Sequence, residues 1–159
     1  MINRIAKFEK ISLKQFKKDC DFDCYDEIML PERATIGSAG YDFYLPYDVI
    51  INPKDCVTIK TGIRAKIDNG WVLQIYPRSS LGFKYKMALA NTVGIIDSDY
   101  YNALNEGHIM IKIFNNSDEK LILEKGKAFV QGIFVPFGIT IDDETIENRT
   151  GGIGSSDKK

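Results

Sequence analysis

The stretch Phe129-Val-Gln-Gly-Ile-Phe-Val135 is typical of a β-strand, because β-branched and aromatic residues dominate it. Trp71-Val-Leu-Gln-Ile-Tyr76 has the same character. Further short runs of this kind fill the chain between residues 39 and 137, at 41–45, 49–51, 57–60, 108–114 and 121–123. Turn residues separate them, as at Asn52-Pro53, Asp68-Asn69-Gly70, Asn115-Asn116-Ser117 and Lys125-Gly126. This spacing predicts an all-β sandwich, jelly roll or barrel.

The two ends of the chain differ from this pattern. Ser12-Leu-Lys-Gln15 has the form of a capping box, and Phe16-Lys-Lys after it predicts one short peripheral helix within an N-terminal extension, residues 1–25. Residues 26–145 form the predicted β domain. Residues 146–159 are polar and rich in glycine and serine, which predicts a flexible, mobile C-terminal tail.

Size and charge limit the classes of protein to consider. The chain has 159 residues, 44% of them hydrophobic, which suits one globular domain. With 21 basic and 22 acidic residues the net charge is -1, so we expect no nucleic-acid or membrane partner, and any anion site must be local. No run of about 18 apolar residues is present. We therefore expect neither a signal peptide nor a membrane span, and a cytoplasmic location.

Cysteine and histidine usage restricts the chemistry. Cys20, Cys24 and Cys56 lack the paired spacing of a zinc site or redox motif, and we expect reduced, unligated thiols. His108 is the only histidine. Because a serine or cysteine nucleophile normally needs an imidazole base, proton transfer is expected to fall to carboxylates.

Four segments carry more polar functionality than loops need. Gly37-Ser-Ala-Gly-Tyr-Asp42 leads small residues into a carboxylate, and Tyr76-Pro-Arg-Ser-Ser-Leu-Gly82 supplies a guanidinium and hydroxyls suited to phosphate. Asn91-Thr-Val-Gly-Ile-Ile-Asp-Ser-Asp-Tyr100 offers an amide, two acids and an aromatic ring for a base, a water and a sugar. Arg149-Thr-Gly-Gly-Ile-Gly-Ser-Ser156 could wrap a phosphate chain. Taken singly, each is also compatible with an ordinary loop or linker.

Taken in order, these segments resemble the five motifs of the trimeric dUTPase family. The motifs are Ala39-Gly-Tyr-Asp-Phe43, Pro77-Arg-Ser-Ser-Leu-Gly82, Gly94-Ile-Ile-Asp-Ser-Asp-Tyr100, Gly126-Lys-Ala-Phe-Val-Gln131 and Arg149-Thr-Gly-Gly-Ile-Gly-Ser-Ser156. The resemblance implies a jelly-roll β-barrel and a homotrimer whose three active sites are shared between subunits, each closed by a C-terminal tail. It also implies Mg²⁺-dependent hydrolysis of dUTP to dUMP and pyrophosphate, with water attacking the α-phosphorus.

The same resemblance assigns roles to individual residues. Asp97 is the expected general base, with Asp99 the weaker candidate. Tyr100 is expected to pack on deoxyribose and exclude a 2′-hydroxyl, and Asp42 to orient water around magnesium. The expected uracil contacts are Asn91, Gly94, Ile95 and Ile96, with Met110 as a further nucleotide contact. The expected phosphate contacts are Arg78, Ser79, Ser80 and Gln131, and in the tail Arg149, Gly151, Gly152, Ile153, Gly154 and Ser155.

The sequence departs from the family pattern at three places. Lys127-Ala128 stands where the family usually has an acid and an arginine. Residues 101–107 add length, which predicts an elongated hairpin turn beside the site. Ile153 stands where the family usually has an aromatic residue that stacks on uracil, so either Ile153 or an aromatic from elsewhere, such as Tyr101, covers the base.

Two other functions stay open at this point. A dCTP deaminase has the same fold but needs a catalytic glutamate in the strand after motif three, and residues 108–114 contain no acid. A non-catalytic jelly-roll module that binds nucleotide for regulation is the second alternative. Asp97, Arg78, Gln131 and Arg149 argue against it.

Overall fold

The computed structural model describes residues 3–147 together with Arg149 and Gly151. Strands dominate this part of the chain, so the all-β prediction is confirmed. In chain order the elements are β1 Ala6–Lys10, α1 Leu13–Asp19, β2 Tyr41–Tyr44, β3 Val49–Ile51, β4 Cys56–Lys60, β5 Ile63–Ile67, β6 Trp71–Pro77, α2 Ser79–Tyr85, β7 Met87–Leu89, β8 Gly94–Ile96, β9 Met110–Asn115, β10 Leu121–Leu123 and β11 Ala128–Pro136. Two 3-10 helices cover Tyr25–Glu27 and Ser98–Asn102.

The strands form four antiparallel sheets. One sheet has four strands in the order β2-β11-β6-β8, and another has three in the order β4-β9-β7. Two pairs, β1-β5 and β3-β10, complete the set. Because successive side chains of a strand face opposite sides, β9 buries Ile111 and Ile113 while Met110 and Lys112 share the other face.

The core lies between the inner faces of these sheets. Its largest fully buried side chains include Phe43, Leu73, Ile75 and Phe129. The ring of Phe8 on β1 packs edge-on against Phe43 with centroids 5.5 Å apart, a favoured aromatic geometry. The N-terminal strand is thus built into the core of the domain.

The N-terminal helix packs one side against the core. The predicted cap is present, since Ser12 Oγ accepts a hydrogen bond of 3.1 Å from the Gln15 amide. Phe16, however, is only 1% exposed. Phe16 therefore anchors the helix to the hydrophobic core, while Leu13, Lys14, Lys17 and Lys18 stay exposed, so the helix lies on the surface of the domain with one side packed inward.

One buried histidine joins this helix to the β domain. His108 has no exposed surface, its Nδ1 lies 2.7 Å from Asp19 Oδ2, and its Nε2 accepts a 2.9 Å hydrogen bond from the Gly62 amide. The proton therefore sits on Nδ1 and the ring is neutral. Burial lowers the pKa of His108, although Asp19 acts in the opposite direction. Gly62 adopts a φ of +71°, and a Cβ there would collide with Ile28 and the Phe16 ring.

The cysteines are free. Cys20 and Cys24 are buried, and burial raises the pKa of the Cys24 thiol to about 11. Cys56 on β4 is partly exposed.

None of the helices among the described residues has the length and apolar character needed to cross a bilayer.

We expect the free energy of unfolding to fall as the pH is lowered from 7 to 5. In the unfolded chain His108 takes up a proton below its ordinary pKa of 6.5, whereas the buried ring resists protonation, so the unfolded state binds more protons in this range. Urea titrations across the range measure the effect. No other histidine contributes, and His108→Gln should therefore flatten the pH dependence. An equally steep decline in that variant would contradict the assignment.

Candidate active site

A cleft of about 510 Å³ opens between β8 and β9, and we call it the first cleft. Six residues that the sequence singled out in and near motif three line it, as does Arg149 of the tail. They are Asn91, Gly94, Ile95, Ile96, Tyr100 and Met110 together with Arg149, and the remaining lining residues are Thr58, Ile75, Leu89, Ala90, Ile109, Ile111 and Lys112.

The wall formed by β8 presents main-chain groups. In the four-stranded sheet β8 is an edge strand whose one partner among the described residues is β6, so its other edge carries N–H and C=O groups available to a ligand. Gly94 lies opposite Ile75, and a Cβ on Gly94 would come within 3.0 Å of Ile75 Cβ. The close approach of β8 to β6 thus requires glycine here. Backbone groups and the Asn91 amide together can match the polar edge of a base.

Tyr100 is held firmly in the same cleft. Its side chain is buried, and its hydroxyl donates to His108 O and accepts from Asn105 Nδ2, each at 2.8 Å. Burial raises the pKa of Tyr100, so the phenol stays protonated at neutral pH. The Arg149 guanidinium lies 4.9 Å from the ring centroid. The ring is a fixed apolar surface against which a sugar can pack.

Two carboxylates stand at the end of β8. Asp97 Oδ2 lies 3.4 Å from Arg149 Nη1, and Asp99 Oδ1 lies 3.9 Å from the same nitrogen. Both acids are about half exposed, so these ion pairs add little to stability. Of the residues expected in the tail, Arg149 and Gly151 are described, and Arg149 Nε donates to Gly151 O at 3.0 Å. Gly152, Ile153, Gly154 and Ser155 lie outside the described residues.

The predicted phosphate contacts gather elsewhere, around a second cleft of about 560 Å³. Arg78, Ser79 and Gln131 line it, whereas Ser80 is exposed in the first turn of α2. Arg78 Nε forms a 3.2 Å ion pair with Asp42 Oδ1, because β2, β11 and β6 are neighbours in the sheet. Gln131 lies opposite both Asp42 and Tyr76, and its amide donates to Pro77 O at 3.3 Å.

The two clefts are separated within one chain. Ile96 lies opposite Leu73, which precedes Arg78 by five residues along β6. At about 3.3 Å per residue, the Asp97 end of β8 is about 16 Å from Arg78. The structure therefore brings Asp97 together with Tyr100 and Arg149, and Arg78 together with Asp42 and Gln131, but it does not bring these two groups together.

Tyr101 points to another part of the molecule. Its hydroxyl donates to Glu9 Oε2 at 2.6 Å, and the Arg64 guanidinium lies 4.3 Å from its ring centroid. The ring is thus engaged by residues of β1 and β5. In this arrangement Tyr101 does not line the first cleft, which removes the support for Tyr101 as a cover over the base.

Sequence reasoning missed part of the first cleft. Thr58 and Lys112 lie directly opposite each other on β4 and β9, and both line it. A signal for Lys112 existed, because it follows Met110 by two positions and must share its face of the strand. Thr58 carried no comparable signal, since its place depends on how β4 pairs with β9.

A metal ion would find little protein ligation here. Among the described residues, no group of three or more His, Cys, Asp or Glu side chains is arranged to hold one. Asp42 offers a single carboxylate, already paired with Arg78. This donor set suits an ion whose other ligands are waters and oxygens of a bound phosphate.

Known proteins resemble the chain over most of its length. A model of the dUTPase family matches residues 26–157. A deoxyuridine 5′-triphosphate nucleotidohydrolase of Lactococcus lactis subsp. lactis is 44% identical over 132 residues, covering 81% of this chain and 88% of that protein.

Solved structures agree. The crystal structure of the dUTPase from Streptococcus mutans superposes with a TM-score of 0.70 at 39% identity, covering 84% of this chain and 97% of that one. A mutant dUTPase from phage phi11 of S. aureus, described with a structural Mg(II) ion, has a TM-score of 0.68 at 20% identity, covers 91% of this chain and 98% of that one, and supports the fold alone. The predicted jelly roll is confirmed.

Gly94→Ala should lower the free energy of unfolding by about 1–3 kcal/mol, the usual cost of overpacking. The added methyl would meet Ile75 on β6 and force the edge strand outward. Urea denaturation measures the loss. Gly37→Ala is the matched control, because its Cβ would have no neighbour within 4 Å. Equal stability of the two variants would show that β8 does not depend on this approach.

Proposed function

This chain belongs to the dUTPase family and hydrolyses dUTP, and we propose which of its residues carry out the reaction. In this proposal water attacks the α-phosphorus, dUMP and pyrophosphate leave, and Asp97 removes the proton of the water. The observation that supports it best is the place of Asp97, a solvent-accessible carboxylate at the end of β8, three residues from the Tyr100 ring in the first cleft.

Uracil occupies the first cleft in this proposal. The free edge of β8, from Gly94 to Ile96, meets the base with main-chain N–H and C=O groups, and Asn91 adds an amide at the rim. Discrimination by hydrogen bonds is strong, since a base that lacks the matching groups leaves polar atoms unpaired. Met110 and the missed Lys112 face the same space from β9.

Deoxyribose packs on Tyr100, which leaves no room for a 2′-hydroxyl. This discrimination is steric and depends on a ring that does not move. The two hydrogen bonds at its hydroxyl, with His108 O and Asn105 Nδ2, support this role.

Charge stabilisation supplies most of the catalysis. A carboxylate is a weak base for water, so positioning and cationic groups around the triphosphate must do the larger part. Arg149 already lies between the first cleft and Asp97, where it can hold outer phosphates. Arg78, Ser79, Ser80 and Gln131 supply further donors for phosphate oxygens.

A homotrimer supplies these donors from a neighbouring subunit. The separation of about 16 Å between the end of β8 and Arg78 is too long for both to reach one α-phosphate within a chain. The segment after β11 gives independent support. Phe137, Ile139 and Ile141 alternate along it and are 51%, 73% and 109% exposed, which is typical of a surface that another subunit covers.

Mg²⁺ accompanies the substrate in this proposal. The ion would be held by phosphate oxygens of dUTP and, through water, by Asp42, and it would neutralise charge on the triphosphate. The related phage phi11 dUTPase is described with a structural Mg(II) ion. Asp42 on β2 and Arg78 at the end of β6 form an ion pair. The protein itself thus offers an acid for the hydrated ion and, beside it, a cation for phosphate.

We also propose a cytoplasmic location, which three unpaired cysteines support, because free thiols persist in reducing compartments.

Neither rival function gains support from the site. A deaminase would need an acid in the strand after motif three, and β9 has none.

Asp97→Asn should reduce kcat by about 10²–10⁴-fold while dUTP binding is preserved, because the amide has nearly the same shape but cannot accept a proton. Pyrophosphate release measures turnover, and calorimetry with a non-hydrolysable analogue measures binding. Asp99→Asn is the matched control, because both acids lie near Arg149, and it should be much milder. The reverse order of the two variants would transfer the role of base to Asp99.

Subunit exchange tests the shared site. Mixing inactive Asp97→Asn chains with inactive Arg78→Ala chains in equal amounts should restore about a quarter of wild-type activity, because random trimers combine an intact Asp97 with an intact Arg78 at that frequency. The control replaces the second partner with an Asp97→Asn/Arg78→Ala chain, which can never restore a complete site. Absence of complementation, once mass spectrometry has shown mixed trimers, would confine each site to one chain.

A further inference from the structure

Residues 101–108 comprise the end of the 3-10 helix Ser98–Asn102 and most of the loop that leads from it to β9. We call this segment the brace. Three contacts bind it to the N-terminal strand and helix. The Glu106 carboxylate accepts from both Ser12 N and Ser12 Oγ at 2.7 Å, Tyr101 donates to Glu9 at 2.6 Å, and His108 is paired with Asp19. The hydrogen bonds from Ser12 lower the pKa of Glu106 and keep it ionised at neutral pH.

The brace also holds Tyr100 at its far end. Asn105 Nδ2 donates to the Tyr100 hydroxyl at 2.8 Å, and that hydroxyl donates to His108 O at 2.8 Å. Asn105 Oδ1 accepts from the Gly107 amide at 3.3 Å, which orients the side-chain amide. Gly107 itself adopts a φ of +70°, and a Cβ there would lie 2.7 Å from Tyr100 O, so the brace is packed against the Tyr100 backbone.

We infer that Asn105 is a positioning residue, which fixes the Tyr100 ring and thereby sets the selection of deoxyribose over ribose. The inference rests on the role proposed for Tyr100. A phenol hydroxyl that both donates and accepts is held at two points, and one bond alone would let the ring pivot about it. Steric exclusion of a hydroxyl group depends on the ring position to within a fraction of an ångström.

The geometry explains why the support comes from this segment. His108 O is part of a main chain anchored by the buried imidazole, which is bound on both sides by Asp19 and Gly62. Along the chain, Glu106 with its contact to Ser12 lies between Asn105 and that anchor. The N-terminal helix and the first cleft are therefore joined through three hydrogen-bonding residues of the brace, Asn105, Glu106 and His108.

Steady-state kinetics with dUTP and with UTP test the inference. In Asn105→Ala the ratio of kcat/KM for dUTP to kcat/KM for UTP should fall about fivefold, the usual effect of one lost hydrogen bond, through a lower KM for UTP while kcat for dUTP is unchanged. Asn102→Ala is the matched control, since Asn102 is exposed in the same loop, and its ratio should equal that of the wild type. An unchanged ratio in Asn105→Ala overturns the inference.

A double-mutant cycle separates positioning from folding. Tyr100→Phe removes the hydroxyl through which Asn105 acts, so adding Asn105→Ala to it should cause no further change in the ratio. A further fall of equal size would overturn the inference, and so would a lower Tm without any change in the ratio.

Tyr100→Ala distinguishes the two levels of the argument. If this variant loses discrimination against UTP while Asn105→Ala keeps it, the positioning role alone is wrong. If neither variant changes the ratio, the role of Tyr100 and the inference are both wrong, although dUTP hydrolysis by the wild type stands.

Discussion

The antiparallel pairing of β6 between β8 and β11 fixes where each functional side chain stands. Gly94 lies opposite Ile75 on one side of β6, and Gln131 lies opposite Tyr76 on the other side. A register shift of one residue would turn every one of these side chains to the opposite face. The pairing that forms the core therefore also keeps the end of β8 about 16 Å from Arg78 within one chain.

The sequence predicted those parts of the molecule that depend on local composition. Strands rich in β-branched and aromatic residues were found, whereas β1, β5, β7 and β8 were missed. Charged residues interrupt β1 and β5, where only Ile63, Ala65 and Ile67 of β5 turn inward, and β7 and β8 have only three residues each. The motif residues were identified, but the Asp42–Arg78 ion pair and the distance between Asp97 and Arg78 follow from strand register, which composition does not contain. His108 was judged only by its rarity. Its partners lie far away along the chain, so no local pattern could reveal the anchor.

The ion pairs beside the first cleft differ in exposure from the pair that anchors the N-terminal helix. The Arg149 side chain is 21% exposed, but its partners Asp97 and Asp99 are about half exposed, and ion pairs of this kind stabilise a protein by little. The Asp19–His108 pair, by contrast, is enclosed and anchors the N-terminal helix, whereas the two acids that pair with Arg149 are accessible to solvent.

The three cysteines differ in burial and therefore in the reactivity of their thiols. Only the thiolate reacts with alkylating reagents, and with a pKa of about 11 roughly one Cys24 side chain in ten thousand is ionised at pH 7. Cys20 is shielded in the same way, because burial raises its pKa as well. Cys56 is accessible by comparison and stands on β4 two residues before Thr58, at the wall of the first cleft. The wild-type chain thus offers one preferred point for attaching a fluorophore or spin label, from which nucleotide entry could be followed in solution.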